Sequence, residues 1–390
     1  MTQGKPLAGF KVVDFSAVFA GPICTRFLVD CGAEVIKIEP PGAGDMIRGI
    51  EGTTRVFAHF NAGKKSVALD LKLPEARQLA LQLVATADVV VENFRPGIMA
   101  RFGLDYASLS EQYPDLVYCS ISGYGQSGPL AGRAAFAPIV HAASGFDHVV
   151  AQAQEQDSAR PINWNIMVAD ILTGAYAFGA IQTALLNRER NGGGDFLDVA
   201  MMDAMMLLIP AQIQAAQMKV KPPIARYCPM KTSDGFVMAC VISDKNMQGL
   251  CEAIDRPELA ADPRFVPGQR IPNMRALIDE METWSCHHTA VECEEILNAA
   301  GVPCSVYVSP DELFAHPQVV ARRSFTSVSD DSLGDFVIQN MPFKFTRFNA
   351  NAFHWAPSLG EHTNQVLSEE LQLEEQAISR LQEQGAIARL

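Results

Sequence analysis

Short apolar runs alternate with longer amphipathic stretches through the first third of the chain. Phe10-Lys11-Val12-Val13-Asp14-Phe15 is a β-rich run. Ala20-Gly21-Pro22 opens a helix that continues through Phe27, Leu28 and Val29 and stops at Cys31-Gly32. Glu34-Val35-Ile36-Lys37-Ile38-Glu39 follows as a second strand, closed by Pro40-Pro41-Gly42. Strand, helix, strand is the βαβ signature of a parallel α/β sheet. The pattern recurs with Ser66 to Asp70 as a strand and an amphipathic helix from Pro74 carrying Ala76, Leu79, Ala80, Leu83 and Val84. Asp88 to Asn93 and Leu116 to Ile121 are further strands, apolar enough to be buried on both faces. Gly- and Pro-containing loops follow Glu39, Asn93 and Ser122. Ligands of open α/β sheets sit outside such strand ends, so a binding site is expected there.

Further along, an Ala- and Leu-rich helix is predicted from about Val168 to Arg190, ending in basic residues and Gly192-Gly193-Gly194. Leu197 to Ala200 reads as a strand before a Met-rich helix, and Lys219 to Pro223 as a linker. A smaller α+β unit is expected from Ser233-Asp234-Gly235 to about Val308. The final segment mixes strands at Phe336 to Ile338 and Phe343 to Phe345 with a Glu- and Leu-rich terminal helix.

Composition narrows the function. Apolar residues make up 48% of 390 and charged residues 19%, enough for a large core and too little charge for a disordered chain. A net charge of −13 argues against general binding to nucleic acid or an anionic membrane. The apolar stretch from Leu197 to Ala216 is broken by Asp198, Asp203 and Pro210, as in a buried helix rather than a membrane span. The polar start, Met1-Thr2-Gln3-Gly4-Lys5, is unlike a signal peptide, and nine cysteines lack framework spacing. A reduced, cytoplasmic setting is expected.

The first βαβ unit, with Glu39 ending its second strand, invites a dinucleotide site. Its turn, Ser16-Ala17-Val18-Phe19-Ala20-Gly21-Pro22, lacks the glycine spacing that lets a pyrophosphate reach the helix. Cys286-His287-His288 with Cys293 matches no standard zinc spacing. Asp170 stands out instead. It is the only charged residue between Arg160 and Arg188. A carboxylate in an apolar helix must be hydrogen-bonded or hold a raised pKa. It fits a reactive acid, and it equally fits an acid favoured by a helix N-terminus.

Several ordered segments resemble the class III CoA-transferases, the family of formyl-CoA transferase and carnitine CoA-transferase. They include Leu7 to Phe15 with Ala20-Gly21-Pro22, Gly32 to Glu39, Lys64 to Lys72, Ala87 to Gly97, Ile121 to Pro129, Ala169-Asp170, Asp234 to Val237, Gly301-Val302-Pro303 and Leu359 to Thr363. The resemblance implies an α/β fold with a Rossmann-like large domain and a smaller α+β domain, in an obligate dimer of interlocked rings. On that pattern the large domain is 1–218 with 325–390. The small domain is 225–308, joined by linkers 219–224 and 309–324. The resemblance makes Asp170 the nucleophile. It assigns CoA contacts to Val18, Phe19, Ala20, Leu69, Lys72, Asn93, Phe94, Arg95 and Arg101, with the cations meeting the CoA phosphates in a locally cationic pocket. The implied partners are an acyl-CoA donor and a carboxylic-acid acceptor, with no permanently bound cofactor and no metal.

This chain departs from the family in places. Many members carry an acid where this chain has Ala137. The glycine-rich loop of formyl-CoA transferase is replaced by Ala239 to Asn246, where Ser243 and Lys245 are expected to set acyl specificity. Phe19 stands where that enzyme has a glutamine, which disfavours oxalate as acceptor. Related α-methylacyl-CoA racemases pair the aspartate with a histidine in a segment that here reads Ala135-Phe136-Ala137, and His141 lies a turn beyond it. Two-base proton transfer needs both groups at the α-carbon, so transfer is favoured over racemisation. An inactive CoA-ester-binding homologue is the third reading.

Overall fold

A computed structural model describes residues 4–50, 54–153, 161–220, 227–330 and 333–388. Part of the expected linker at 219–224 lies outside them. The chain divides into two compact units, 1–210 with 321–390, and 211–320. The inserted unit therefore begins and ends outside the 225–308 expected from the sequence.

The first unit contains, in order, β1 (Lys11–Asp14), α1 (Ala20–Asp30), β2 (Glu34–Glu39), α2 (Thr54–Asn61), β3 (Lys65–Ala68), α3 (Pro74–Val84), β4 (Val89–Glu92), α4 (Tyr106–Leu109), β5 (Val117–Ser122), α5 (Ala137–Ala143), α6 (Phe146–Ala153), α7 (Val168–Asn191), β6 (Asp195–Ala200) and α8 (Met201–Met206). The strands form one sheet in the order β3-β2-β1-β4-β5-β6, and every pairing is parallel. This is the doubly wound order whose direction of winding reverses between β1 and β4, which places a crevice outside their carboxyl ends.

The period of two along each strand builds two cores. Val13, Ile36, Ile38, Val67, Val90 and Tyr118 face one side with α3. Val12, Val35, Val89, Val91, Val117, Cys119 and Ile121 face the other, under α1 and α7. α7 is long and apolar enough to cross a membrane by composition alone. Here it lies along α1, and its Ala177, Phe178, Ile181, Ala184 and Leu185 belong to the second core. It ends where Gly192 turns to φ +76° and donates to Arg188 O at 2.9 Å, with Arg188 paired to Asp88 at 2.8 Å.

The second unit carries α9 (Pro210–Ala216), β7 (Met230–Lys231), β8 (Phe236–Ala239), α10 (Asp244–Ala253), α11 (Met274–Ser285), α12 (Ala290–Ala299), β9 (Cys304–Val306) and α13 (Pro317–Arg322). β7, β8 and β9 pair antiparallel over their own core with α10, α11 and α12. The first unit resumes with β10 (Phe325–Asp330), β11 (Gly334–Gln339), α14 (Thr363–Leu371) and α15 (Glu375–Glu383). Val366, Leu367 and Ile378 fill the first core. Asp70 N donates to Ala386 O at 3.0 Å, so the chain's end is tied to the exit of β3.

Two expectations are corrected. Phe343 to Phe345 is no strand. The alternation of Phe343, Lys344 and Phe345 mimics one, but the rings pack on each other, with Phe345 stacked 3.9 Å from Phe348. The partner of β11 is instead β10, whose Ser- and Thr-rich sequence carries little apolar signal. The terminal helix is two helices, because Gln372 adopts a left-handed φ of +54° and stops α14.

Candidate active site

Neither α1 nor α7 starts with a residue able to cap it. The positions before their first residues are Phe19 and Met167, which offer no side-chain acceptor. Helix N-termini leave backbone N–H groups that need one. The first turn of α1 lies against that of α7, with Ala20 O 2.5 Å from where a Cβ on Gly174 would stand, and the Ala20 N–H is one of two backbone groups that favour the Asp170 anion. At α7 the acceptor is His141 of α5, whose Nε2 accepts from Ala169 N at 3.1 Å. His141 is thus neutral with its proton on Nδ1. Burial holds its pKa below the usual value, against an opposing pull from Asp147.

Asp170 is 8% exposed. Burial pushes its pKa up to about 6, against the two N–H groups that favour the anion. A carboxylate kept poorly solvated and only partly hydrogen-bonded is more basic and more nucleophilic than one in water. The close approach of α1 to α7 has its own cause. A Cβ on Gly174, one turn past Asp170, would stand 2.2 Å from Ile23 Cγ2 and 2.5 Å from Ala20 O.

The turn between β1 and α1 is pinned residue by residue. Ser16 N donates to Asp14 at 2.9 Å, and Ser16 O accepts from Lys37 Nζ at 2.7 Å. Ala17 exchanges two bonds with the Asn93 amide, at 2.8 and 2.7 Å. Val18 N meets both oxygens of Asp45, at 3.0 and 3.2 Å. Below lies a buried ion network. Lys37 pairs with Asp45 and Lys64 with Asp14, both at 3.0 Å. Arg48 pairs with Glu39 at 2.7 Å. Burial lowers Lys64 to about 8, while Lys64 and Lys37 hold Asp14 below the usual carboxylate range. Removing one partner of such a pair strands a buried charge, at a cost of about 3–5 kcal/mol.

Outside the strand ends is a cavity of about 380 Å³, bounded by Phe15, Ser16 and Ala17 after β1, residues 37–40 and 44–46 around the β2 exit, 69–72 after β3, and Phe94, Ile98 and Phe102 after β4. It sits where the strand order predicts a ligand. Glu39, spent on Arg48, Ser66 Oγ and Asp45 N, has no free oxygen for a ribose.

Of the expected contacts, Leu69, Lys72 and Phe94 line this cavity. Val18, Phe19 and Ala20 form the adjoining turn without lining it, and the Asn93 amide is spent on Ala17. Arg95 borders a second cavity of about 260 Å³ with Glu92, Ser120 and Gln126. Arg101 is exposed on the short 3-10 turn Met99–Phe102 and lines neither. Lys37 and Glu39 are neutralised by Asp45 and Arg48, leaving Lys72 beside Asp70 on largely apolar walls. The sequence shows which loops carry cations, but not which way their side chains turn.

In the second cavity Glu92 is 5% exposed, accepts from Ser120 Oγ and from Phe94 N at 2.8 Å, and burial lifts its pKa to about 7. Among the described residues no cluster of three metal-ligating side chains exists. His288 stacks on Trp284 at 4.5 Å. Ser243 and Lys245 stand in the cap and first turn of α10, where Ser243 and Asn246 form a reciprocal capping box, rather than in a free loop. Lys37, Asp45, His141 and Gly174 were not among the expected site residues. Charges at Lys37 and Glu39 inside a strand otherwise fit for full burial are the one sequence signal of the network.

Comparison with known proteins follows from this geometry. The family model of CoA-transferase family III matches residues 7–363. The human succinyl-CoA:glutarate CoA-transferase is 30% identical over 99% of this chain and 91% of its own length. The succinate–glutarate CoA-transferase of Agrobacterium fabrum is 33% identical over 93% of this chain and 95% of its own. Among solved structures, a CaiB/BaiF family protein from Brucella suis superposes with a TM-score of 0.80 at 31% identity, covering 94% of this chain and all of the other.

Proposed function

This chain belongs to CoA-transferase family III, and from that premise we propose that Asp170 carries the transfer covalently. The observation behind the assignment is a buried carboxyl with a pKa near 6, set against the α1 turn whose other end forms the cavity wall. In this mechanism an Asp170 oxygen attacks the thioester carbonyl. The C–S bond breaks, and CoA thiolate leaves a mixed anhydride behind. The thiolate then attacks the aspartyl carbonyl, expelling the donor carboxylate and forming an aspartyl-CoA thioester. The acceptor carboxylate attacks that thioester, and the released thiolate takes the acceptor's acyl group from the second anhydride. Asp170 is returned as a carboxylate and no net proton moves. Each step trades one activated acyl bond for another, so thioester energy is kept without a permanent cofactor. Both intermediates are open to hydrolysis, which suits an apolar setting.

CoA fits the cavity by its chemistry. Apolar walls from Phe15, Ile38, Met46, Leu69, Phe94 and Phe102 suit a purine ring. Lys72 is the rim cation offered to a phosphate, with Arg95 and Arg101 placed for the outer phosphates only if they swing inward. Relatives named for succinate and glutarate support short dicarboxylic acids as donor and acceptor. The racemase reading is the weaker one. Ala137 offers no base, and His141 Nε2 is occupied by Ala169 N–H.

Incubating enzyme with succinyl-CoA and hydroxylamine is expected to convert Asp170 to its hydroxamate, read by peptide mass spectrometry. Absence of the adduct, together with deuterium uptake at the substrate α-carbon from heavy water, would transfer the assignment to isomerisation.

Two copies are proposed to associate as the interlocked dimer the family resemblance implies. Support comes from bulky apolar residues left exposed on the first unit: Phe136 and Ile139 on and beside α5, Trp164 and Ile166 before α7, and Ile171 and Leu186 along it. Exposed apolar surface of this extent marks an interaction face. Light scattering should give twice the mass of one chain across the micromolar range, and a monomer there would sink the proposal.

A further inference from the structure

Val18 is a β-branched residue at φ +70°. Its Cβ makes that conformation costly, and a residue persists there only where its surroundings over-determine it. Glycine would adopt it freely, yet glycine enters only at Gly21, where a Cβ would strike Ser16 Cβ at 2.1 Å. What holds Val18 is Asp45, through both carboxylate oxygens at 3.0 and 3.2 Å. Asp45 is itself fixed. It is fully buried against Lys37, accepts from Ile47 N at 3.2 Å, and donates its own N–H to Glu39 at 2.9 Å. Two residues beyond Val18, Ala20 lies against the first turn of α7, its carbonyl 2.5 Å from where a Cβ on Gly174 would stand, and its N–H is one of the two backbone groups that favour the Asp170 anion.

We propose that Asp45 is a positioning residue for CoA transfer, fixing the left-handed Val18 peptide so that the Ala20 N–H is set against the Asp170 carboxyl. Asp45 also forms part of the cavity wall. The hold on the nucleophile therefore passes through the surface that a bound CoA nucleotide would cover. The inference rests on Asp170 being the nucleophile. The groups acting on that carboxyl are burial and two backbone N–H groups, with no charged side chain among the described residues contributing. His141 of α5 is engaged by Ala169 N.

The test compares wild type, Asp45→Asn, Val18→Gly and Val18→Pro as full-length enzyme. For Asp45→Asn, kcat is expected to fall about 10–100-fold, as misplacement of a reacting group does, with the calorimetric Kd for CoA changed less than about threefold. The acid limb of the kcat/KM profile should also move to higher pH than in wild type, because the Ala20 N–H that favours the anion is no longer aligned. A purely structural role would leave that limb in place. Val18→Gly keeps the N–H that Asp45 holds and takes the left-handed conformation without a Cβ, so its kcat and limb should stay within about twofold of wild type. Val18→Pro leaves the Asp45–Lys37 pair intact but has no N–H for Asp45 and cannot take a positive φ, so it should lose kcat and shift the limb as Asp45→Asn does, and it decides the matter if Asp45→Asn does not fold. Wild-type kcat with an unshifted limb in Asp45→Asn or Val18→Pro overturns the proposal. Transfer retained by Asp170→Asn would instead overturn the nucleophile, leaving the two failures distinguishable.

Discussion

Asp170→Asn is expected to lower CoA transfer by about 10⁴-fold or more and, at neutral pH, to stabilise the fold. The first half follows from covalent catalysis. An amide has no anionic oxygen to attack the thioester, and position 137 is alanine. CoA binding should survive, because the cavity is built from the exits of β1 to β4 and not from α7. The second half follows from the sign of the pKa change. Burial raises the Asp170 carboxyl from the ordinary 3.8 to about 6. Below about pH 4 the group is protonated in both the folded and unfolded chain and contributes nothing. Between about 4 and 6 the unfolded chain ionises first, so stability falls as pH rises. Above 6 the penalty is constant, with an upper bound on the order of 3 kcal/mol. Asparagine pays none of it and still offers an oxygen to the Ala20 N–H. Thermal unfolding at pH 7.5 should therefore show a higher melting temperature for the variant, with the gap narrowing toward pH 5. A variant that melts below wild type at pH 7.5, or one that keeps more than about a hundredth of the activity, would contradict the assignment.

Stored instability at Asp170 also explains why this residue is legible in the sequence. A lone acid between Arg160 and Arg188 departs from the apolar pattern around it, and such departures mark function or strain. The strands were legible for a related reason. β2, β4 and β5 are buried on both faces, so their apolar runs are nearly continuous and their ends are sharp. β10 failed to announce itself because only Val328 of its six residues is buried.

The supporting residues were hidden by distance along the chain. Asp45 reaches Val18 across 27 residues and His141 reaches Ala169 across 28. Neither contact leaves a local pattern, because a capping side chain borrowed from another element is invisible until the elements are packed. The same limit applies to the cations. Arg95 and Arg101 follow β4 as a phosphate-binding loop would, yet one turns to the Glu92 cavity and the other to solvent. Side-chain direction in a loop is set by its anchors. Here the anchors are Asn93 on Ala17 and Glu92 on the Phe94 N–H, two bonds no spacing rule encodes.

Gly174→Ala is expected to cost about 10²-fold in kcat, although alanine is the better helix former by about 1 kcal/mol. The added methyl would lie 2.2 Å from Ile23 Cγ2, 2.5 Å from Ala20 O and 3.4 Å from Cys24 N. The isoleucine tip can swing aside, but the Ala20 carbonyl is backbone and moves only with α1. That helix has little freedom to retreat. Thr25 Oγ1 donates to Asp14 at 2.6 Å, Lys64 Nζ donates to Pro22 O at 3.0 Å, and Arg26 donates to Gln339 O of β11 at 3.1 Å. Overpacking of this kind costs about 1–3 kcal/mol, so the propensity gain is offset and the melting temperature should fall by a few degrees. Whatever separation is achieved is taken up between Ala20 and Asp170, because both lie within one turn of the clash. The loss should therefore fall on kcat, with the acid limb of the pH profile rising as the Ala20 N–H withdraws. The Kd for CoA should be little changed, since the walls at 37–40, 44–46 and 69–72 are untouched. Steady-state kinetics with calorimetric CoA binding decide it. A Gly174→Ala enzyme with wild-type kcat would mean that α1 and α7 can separate without disturbing the nucleophile, and the contact between their N-termini would lose its claim to a role in the reaction.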